Sequence, residues 1–176
     1  MHPAAARRLI AGAVTVAGFF SLSLTADGVG PAAADSPEYA TVLRCSGQLD
    51  MEVVDAPGGR ASGRGKLLCT EPGGPEQGAD IIASGTVTGG GELVTETRTS
   101  DTITFETGKK SHLTMDRRFE RASSGVSGPA DSVGNGLADS GEFAGARTHD
   151  EGAGTFVTGV TGTTYSMDRL TLTLDR

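Results

Sequence analysis

From residue 43 onward the chain alternates. Leu43, Cys45, Gly47, Leu49, Met51 and Val53 share one parity, and Arg44, Ser46, Gln48, Asp50 and Glu52 the other. Period-2 alternation of this kind is the signature of a strand with one buried face. Asp55-Ala56-Pro57-Gly58-Gly59-Arg60 then punctuates the chain, and a second strand is predicted over about residues 63–70. A hairpin centred on Pro57 sets Val53 against Ala61, Met51 against Gly63, Leu49 against Gly65, Gly47 against Leu67 and Cys45 against Cys69. Large residues meet small ones. The two cysteines fall opposite each other, at the cross-strand spacing a disulfide needs.

The same reading carries on downstream. Residues 80–88 form a third strand, with Ile81, Ala83 and Val87 on one face, and Gly89-Gly90-Gly91 turns the chain. The threonine-rich stretch 92–107 reads as strand, with a break expected near Ser100-Asp101. Gly108-Lys109-Lys110 closes a hairpin into residues 111–121, in a register pairing Phe105 with Leu113, Ile103 with Met115, Asp101 with Arg117 and Thr99 with Phe119. Residues 122–128 are a loop. A weaker strand over 130–138 and another reaching His149 follow, and the final hairpin uses 155–160 and 163–175. In that last strand Tyr165 and Met167 have one parity and Leu170, Leu172 and Leu174 the other, so a bulge is expected at Asp168-Arg169.

Helical periodicity is absent from this region. About seven to nine strands joined by short turns predict an all-β domain, a small antiparallel barrel of about eight strands with one hairpin disulfide. Closure disposes of exposed edges better than an open sandwich does.

Composition changes the picture at the N-terminus. Arg7 and Arg8 precede an uncharged apolar run over residues 9–24, and Ala32-Ala33-Ala34 stands before Asp35. That layout reads as a secretory signal peptide over residues 1–34, with residues 35–176 as a single barrel domain. The apolar run falls short of the ~20 residues a membrane-crossing helix needs. Ordinary secretion fits it better than the twin-arginine route. In an exported protein the two cysteines, Cys45 and Cys69, read as a disulfide.

The formal charge is −7, and cleavage after Ala34 removes two arginines and one aspartate. An acidic chain without a basic patch repels phosphate backbones and anionic lipid. This disfavours nucleic acid and membrane surfaces as partners.

Three groupings carry candidate chemistry. Asp101 and Arg117 both point toward the apolar face in the register above. With Tyr165 they are the first suspects for cavity-facing catalytic groups. Asp131, Asn135, Asp139 and Glu142 stand at positions 1, 5, 9 and 12 of a calcium-loop spacing, with Gly136 at position 6, but position 3 is Val133 and the flanks are β-like. His112 and His149 read as surface histidines, since no set of three or four ligands accompanies them. The chain has no G-x-S-x-G elbow, and nothing in it calls for a cofactor.

Gly152-Ala153-Gly154-Thr155-Phe156, followed by Gly159, Gly162 and the strand 163–174, resembles the C-terminal hairpin of allene oxide cyclase-like and dirigent-like β-barrels. In those proteins a Gly-x-Gly-x-Phe turn leads into the closing strand. Ser140-Gly141-Glu142-Phe143-Ala144-Gly145 looks like a second turn of that style. The resemblance implies an eight-stranded barrel with an apolar interior that binds or cyclises hydrophobic small molecules. No catalytic position of the family matches a residue here.

The expectation is therefore a secreted, non-catalytic barrel binding a small apolar molecule or an extracellular partner. A cyclase or isomerase acting on a hydrophobic small molecule is the alternative. A third class, a surface-binding module, would show an exposed apolar patch in place of a cavity.

Overall fold

The computed structural model describes residues 39–176. The signal-peptide reading of residues 1–34 lies outside them. Eight strands follow one another: β1 (Thr41–Val53), β2 (Arg60–Thr70), β3 (Glu76–Gly90), β4 (Val94–Phe105), β5 (Lys110–Arg121), β6 (Ser127–Gly141), β7 (Arg147–Thr158) and β8 (Thr163–Asp175). Each pairs antiparallel with its chain neighbour, and β8 returns to pair with β1, so the sheet is a closed up-and-down barrel. Among the described residues no sheet edge is left unpaired, as the expected eight-stranded barrel requires.

The β1–β2 hairpin has the expected register, from Val53 opposite Ala61 to Cys45 opposite Cys69. Cys45 and Cys69 are disulfide-bonded, with Cα atoms 4.0 Å apart. The bulge in β8 is also present. Gly47 pairs with Leu170 but Leu49 with Met167, so β8 spends one extra residue at Asp168-Arg169. That residue reverses the parity of the strand. Tyr165, Met167, Leu170, Leu172 and Leu174 are all buried as a result, and both parity sets line the interior.

Two other registers differ from expectation. In the β4–β5 hairpin, Asp101 faces Leu113, Thr97 faces Arg117 and Thr95 faces Phe119. Compared with the expected pairing, β5 has moved four residues along β4. The turn is residues 106–109, closed by Phe105 N to Lys109 O at 3.0 Å, with Gly108 at φ +81°. An even shift keeps every inward side chain inward, so alternation alone cannot distinguish the two registers. The expected break at Ser100-Asp101 is absent, and β4 runs unbroken. Its inward residues Thr95, Thr97, Thr99 and Asp101 are polar but buried, so the apolar pattern stops while the strand continues.

The second difference concerns Gly152-Ala153-Gly154. It lies inside β7 and forms no turn; the β7–β8 turn is residues 159–162. A Cβ on Gly154 would collide with the carbonyl of Ser166, and one on Gly152 would come within 2.6 Å of Ser132 Oγ. These glycines permit close approach of neighbouring strands. By contrast, residues 141–145 do form a turn. Gly141 and Gly145 have φ of +93° and +84°, and Phe143 folds inward edge-on to Phe105 at 5.9 Å.

The lumen is filled by side chains. Met51 fills the space a Cβ on Gly63 would need, Met115 the space at Gly136, and Ile81 that at Gly65. Large residues on one strand thus occupy glycine positions on the next, which is how an eight-stranded barrel packs its interior. The wall from β8 through β1 and β2 to β3 is apolar apart from Thr163 and the Tyr165 hydroxyl near one mouth. The wall from β4 to β7 carries Thr97, Thr99, Asp101, Arg117, Ser132, Thr148 and Asp150.

Candidate functional site

A single row of the barrel sets up the charged interior. Arg117 on β5 pairs with Gly134 on β6, and Gly134 pairs with Asp150 on β7. With no side chain at the middle position, Arg117 reaches over β6 to Asp150. Nε donates to Asp150 Oδ2 at 2.7 Å, Nη2 to Asp101 Oδ2 at 2.5 Å and Nη1 to Thr99 Oγ1 at 3.1 Å. The Arg117 side chain is 1% exposed and both carboxylates are 0% exposed. Burial pulls the guanidinium pKa down, but the charges of Asp150 and Asp101 outweigh it and raise the pKa overall, so Arg117 stays protonated. A Cβ at Gly134 would collide with Asp150 Oδ1 and lie 2.9 Å from Arg117 Cγ.

The expected union of Asp101 with Arg117 is thus present, although the two are not cross-strand partners. Tyr165 does not join them. Its hydroxyl is 2.9 Å from Thr95 Oγ1, and its ring stacks on Phe119, the next inward residue after Arg117, at 4.6 Å between centroids. Thr95 and Thr163 both donate to the Asp55 carboxylate beside it. Burial above all raises the Tyr165 pKa; the Thr95 hydrogen bond and Arg121 oppose the shift, and Asp55 adds to it. The three suspects therefore form two separate clusters, an Arg117 clamp and a hydroxyl cluster near one mouth.

Sequence reasoning misses Asp150, which falls between the strand expected to end at His149 and the one expected to start at residue 155. The available signal was parity. Counting back from Phe156 in twos through Gly154 and Gly152 puts Asp150 and Thr148 on the inner face, once the glycines are read as strand.

The calcium-loop spacing does not survive the fold. Asp131, Asn135 and Asp139 point outward from the extended β6, about 13 Å apart per four-residue step. Asn135 bonds His149, Asp139 accepts from Thr114, and Glu142 pairs with Lys109. No group of three His, Cys, Asp or Glu residues is placed to hold a metal among the described residues. His112 lies against Thr102, and His149 contacts Asn135 and Glu151 on the outer wall.

Concavities occur at the mouths, one beside Asp55, Pro57, Val87 and Thr95 and another beside Pro72, Phe105 and Phe143. The first mouth has a second property. The four loops at that end each expose an aliphatic side chain: Val54, Leu93, Val126 (75% exposed) and the fully exposed Val160. The loop backbones are tied to neighbouring strands. Gly58 N and Gly59 O bond Val87, Leu93 O accepts from Arg121 N, and Val126 O accepts from Thr158 N. Among the described residues, the three loops at the opposite end expose no large hydrophobic side chain.

No family model, curated protein or solved structure matches the chain.

Proposed function

We propose that this chain is a secreted, non-catalytic β-barrel that binds an extracellular protein through the loop rim at the Asp55 end. The observation that carries the reading is the rim itself. Four alternate loops, all at one end of the barrel, each put an aliphatic residue into solvent, on backbone already fixed by hydrogen bonds. Exposed apolar groups on an ordered frame mark interaction surfaces, and a pre-ordered frame lowers the entropy cost of binding. The Cys45–Cys69 bridge is in keeping with an oxidising compartment.

The packed lumen gives less support to a carrier of a small apolar molecule. It also gives less support to the allene oxide cyclase-like alternative, because Asp101 and Arg117 are closed off from solvent and engaged with each other. The test uses a photo-crosslinking residue at position 160 of the exported protein. The expected result is one discrete protein adduct, competed away by excess wild-type protein but not by the Val126→Ser/Val160→Ser variant. Equal competition by that variant, or no adduct, overturns the rim reading. A small molecule retained in native mass spectrometry would turn the assignment toward the carrier.

A further inference from the structure

We infer that the interior of the barrel holds a water-sized hydrogen-bond donor against the Arg117 clamp, bound by the free oxygens of Asp101 and Asp150. Each carboxylate gives only Oδ2 to Arg117. Asp101 Oδ1 and Asp150 Oδ1 meet no protein donor, although both side chains are fully buried. Buried polar atoms in folded proteins are almost always hydrogen-bonded, by protein or by trapped solvent.

Two hydroxyls in the same polar wall share the condition. Thr97, the cross-strand partner of Arg117, and Thr148, two residues before Asp150 on the inner face, also lack partners. The chemistry of the occupant follows from the donor and acceptor count. Carboxylate oxygens only accept, so the occupant must donate. Two carboxylates face one guanidinium, so an anion is excluded and a cation is tolerated. The size follows from the wall. Asp150 Oδ1 and Arg117 Cγ already crowd Gly134, and Met115 fills the space over Gly136, so the site admits nothing larger than a single small group. Water and ammonium share the required chemistry, and ammonium would also supply the missing positive charge.

The test uses the full chain from residue 35. An atomic-resolution crystal structure is expected to show a density peak within hydrogen-bond distance of Asp101 Oδ1 or Asp150 Oδ1. In solution, water relaxation dispersion is expected to lose at least one long-lived internal water in the Asp101→Leu/Arg117→Met/Asp150→Leu variant. If ammonium is the occupant, ¹⁵N-ammonium shows cross-peaks to the Arg117 side chain. In that case Tm is also higher in ammonium chloride than in sodium chloride at equal ionic strength. Absence of density at both oxygens overturns the inference, whether or not the triple variant folds.

Discussion

Arg117 and Asp150 sit on strands that are not hydrogen-bonded neighbours, yet they form a 2.7 Å ion pair over Gly134. The missing side chain at position 134 is what allows the contact. Gly134→Ala is therefore expected to destabilise the barrel by about 2–4 kcal/mol, since the added methyl displaces a buried carboxylate from its partner. Thermal or urea unfolding checks this, with Gly91→Ala, where a Cβ meets nothing, as the control.

The clamp should behave asymmetrically under substitution. Arg117→Met or Arg117→Gln alone leaves two buried carboxylates without their cation and is expected to cost about 3–5 kcal/mol. Replacing all three members in Asp101→Leu/Arg117→Met/Asp150→Leu removes the charges together and is expected to cost less than either single change. Urea midpoints of the single and triple variants decide the matter. A triple variant weaker than both singles would count against the desolvation argument.

Cys45→Ala/Cys69→Ala removes a bridge with a sequence separation of 24. The chain-entropy model puts the loss at about 3 kcal/mol. The wild-type protein should show an intact mass two hydrogens below the reduced form under non-reducing conditions.

Tyr165 links stability to high pH. Its phenol is held neutral by burial, so its folded pKa lies above the unfolded value of about 10. For a group raised in this way, the stabilising contribution is complete below the unfolded pKa. It is lost as the pH rises through the folded one. The barrel should therefore weaken above about pH 10, and Tyr165→Phe should flatten that decline while costing about 1 kcal/mol at neutral pH through the lost Thr95 bond. Ultraviolet titration is expected to show a phenol ionising only above the ordinary tyrosine range, and Tyr165→Phe to remove it.

The extra residue of the β8 bulge determines which side chains face inward. Deleting Asp168 is expected to abolish cooperative unfolding, because either the Tyr165 side or the Leu170 side of the strand must turn outward. Asp168→Ala, at an exposed position, should change stability by less than about 0.5 kcal/mol. Near-ultraviolet circular dichroism with thermal melts separates the two outcomes.

These residues also show what the sequence makes legible. The β1–β2 register can be read because a Pro-Gly-Gly turn and two cysteines both constrain it. The β8 bulge can be read because a parity switch within one strand has no other explanation. The β4–β5 register cannot be read in this way, because a four-residue shift preserves alternation and only the turn geometry at Gly108 separates the registers. Asp101 and Arg117 were still brought together, because the facing of each side chain was right even though the pairing was wrong. Asp150 escaped because its strand contains Gly152 and Gly154, which look like turn residues until the approach of Ser166 is known. The rim is not legible in the sequence either. Val54, Leu93, Val126 and Val160 are isolated in sequence, and only the alternation of loop ends in an up-and-down barrel puts them on one side.

The order of pairing has a kinetic consequence. Among the described residues, seven of the barrel's eight strand interfaces join strands adjacent in sequence, and only the β1–β8 seam joins its first strand to its last. Just beyond the strands of that seam, Ala40 and Arg176 exchange two backbone hydrogen bonds. The protein can form its hairpins locally as a curling ribbon, but it gains a closed interior only when that last seam zips. The seam is also where β8 carries its bulge, so the slowest contact to form is the one whose register a single extra residue dictates.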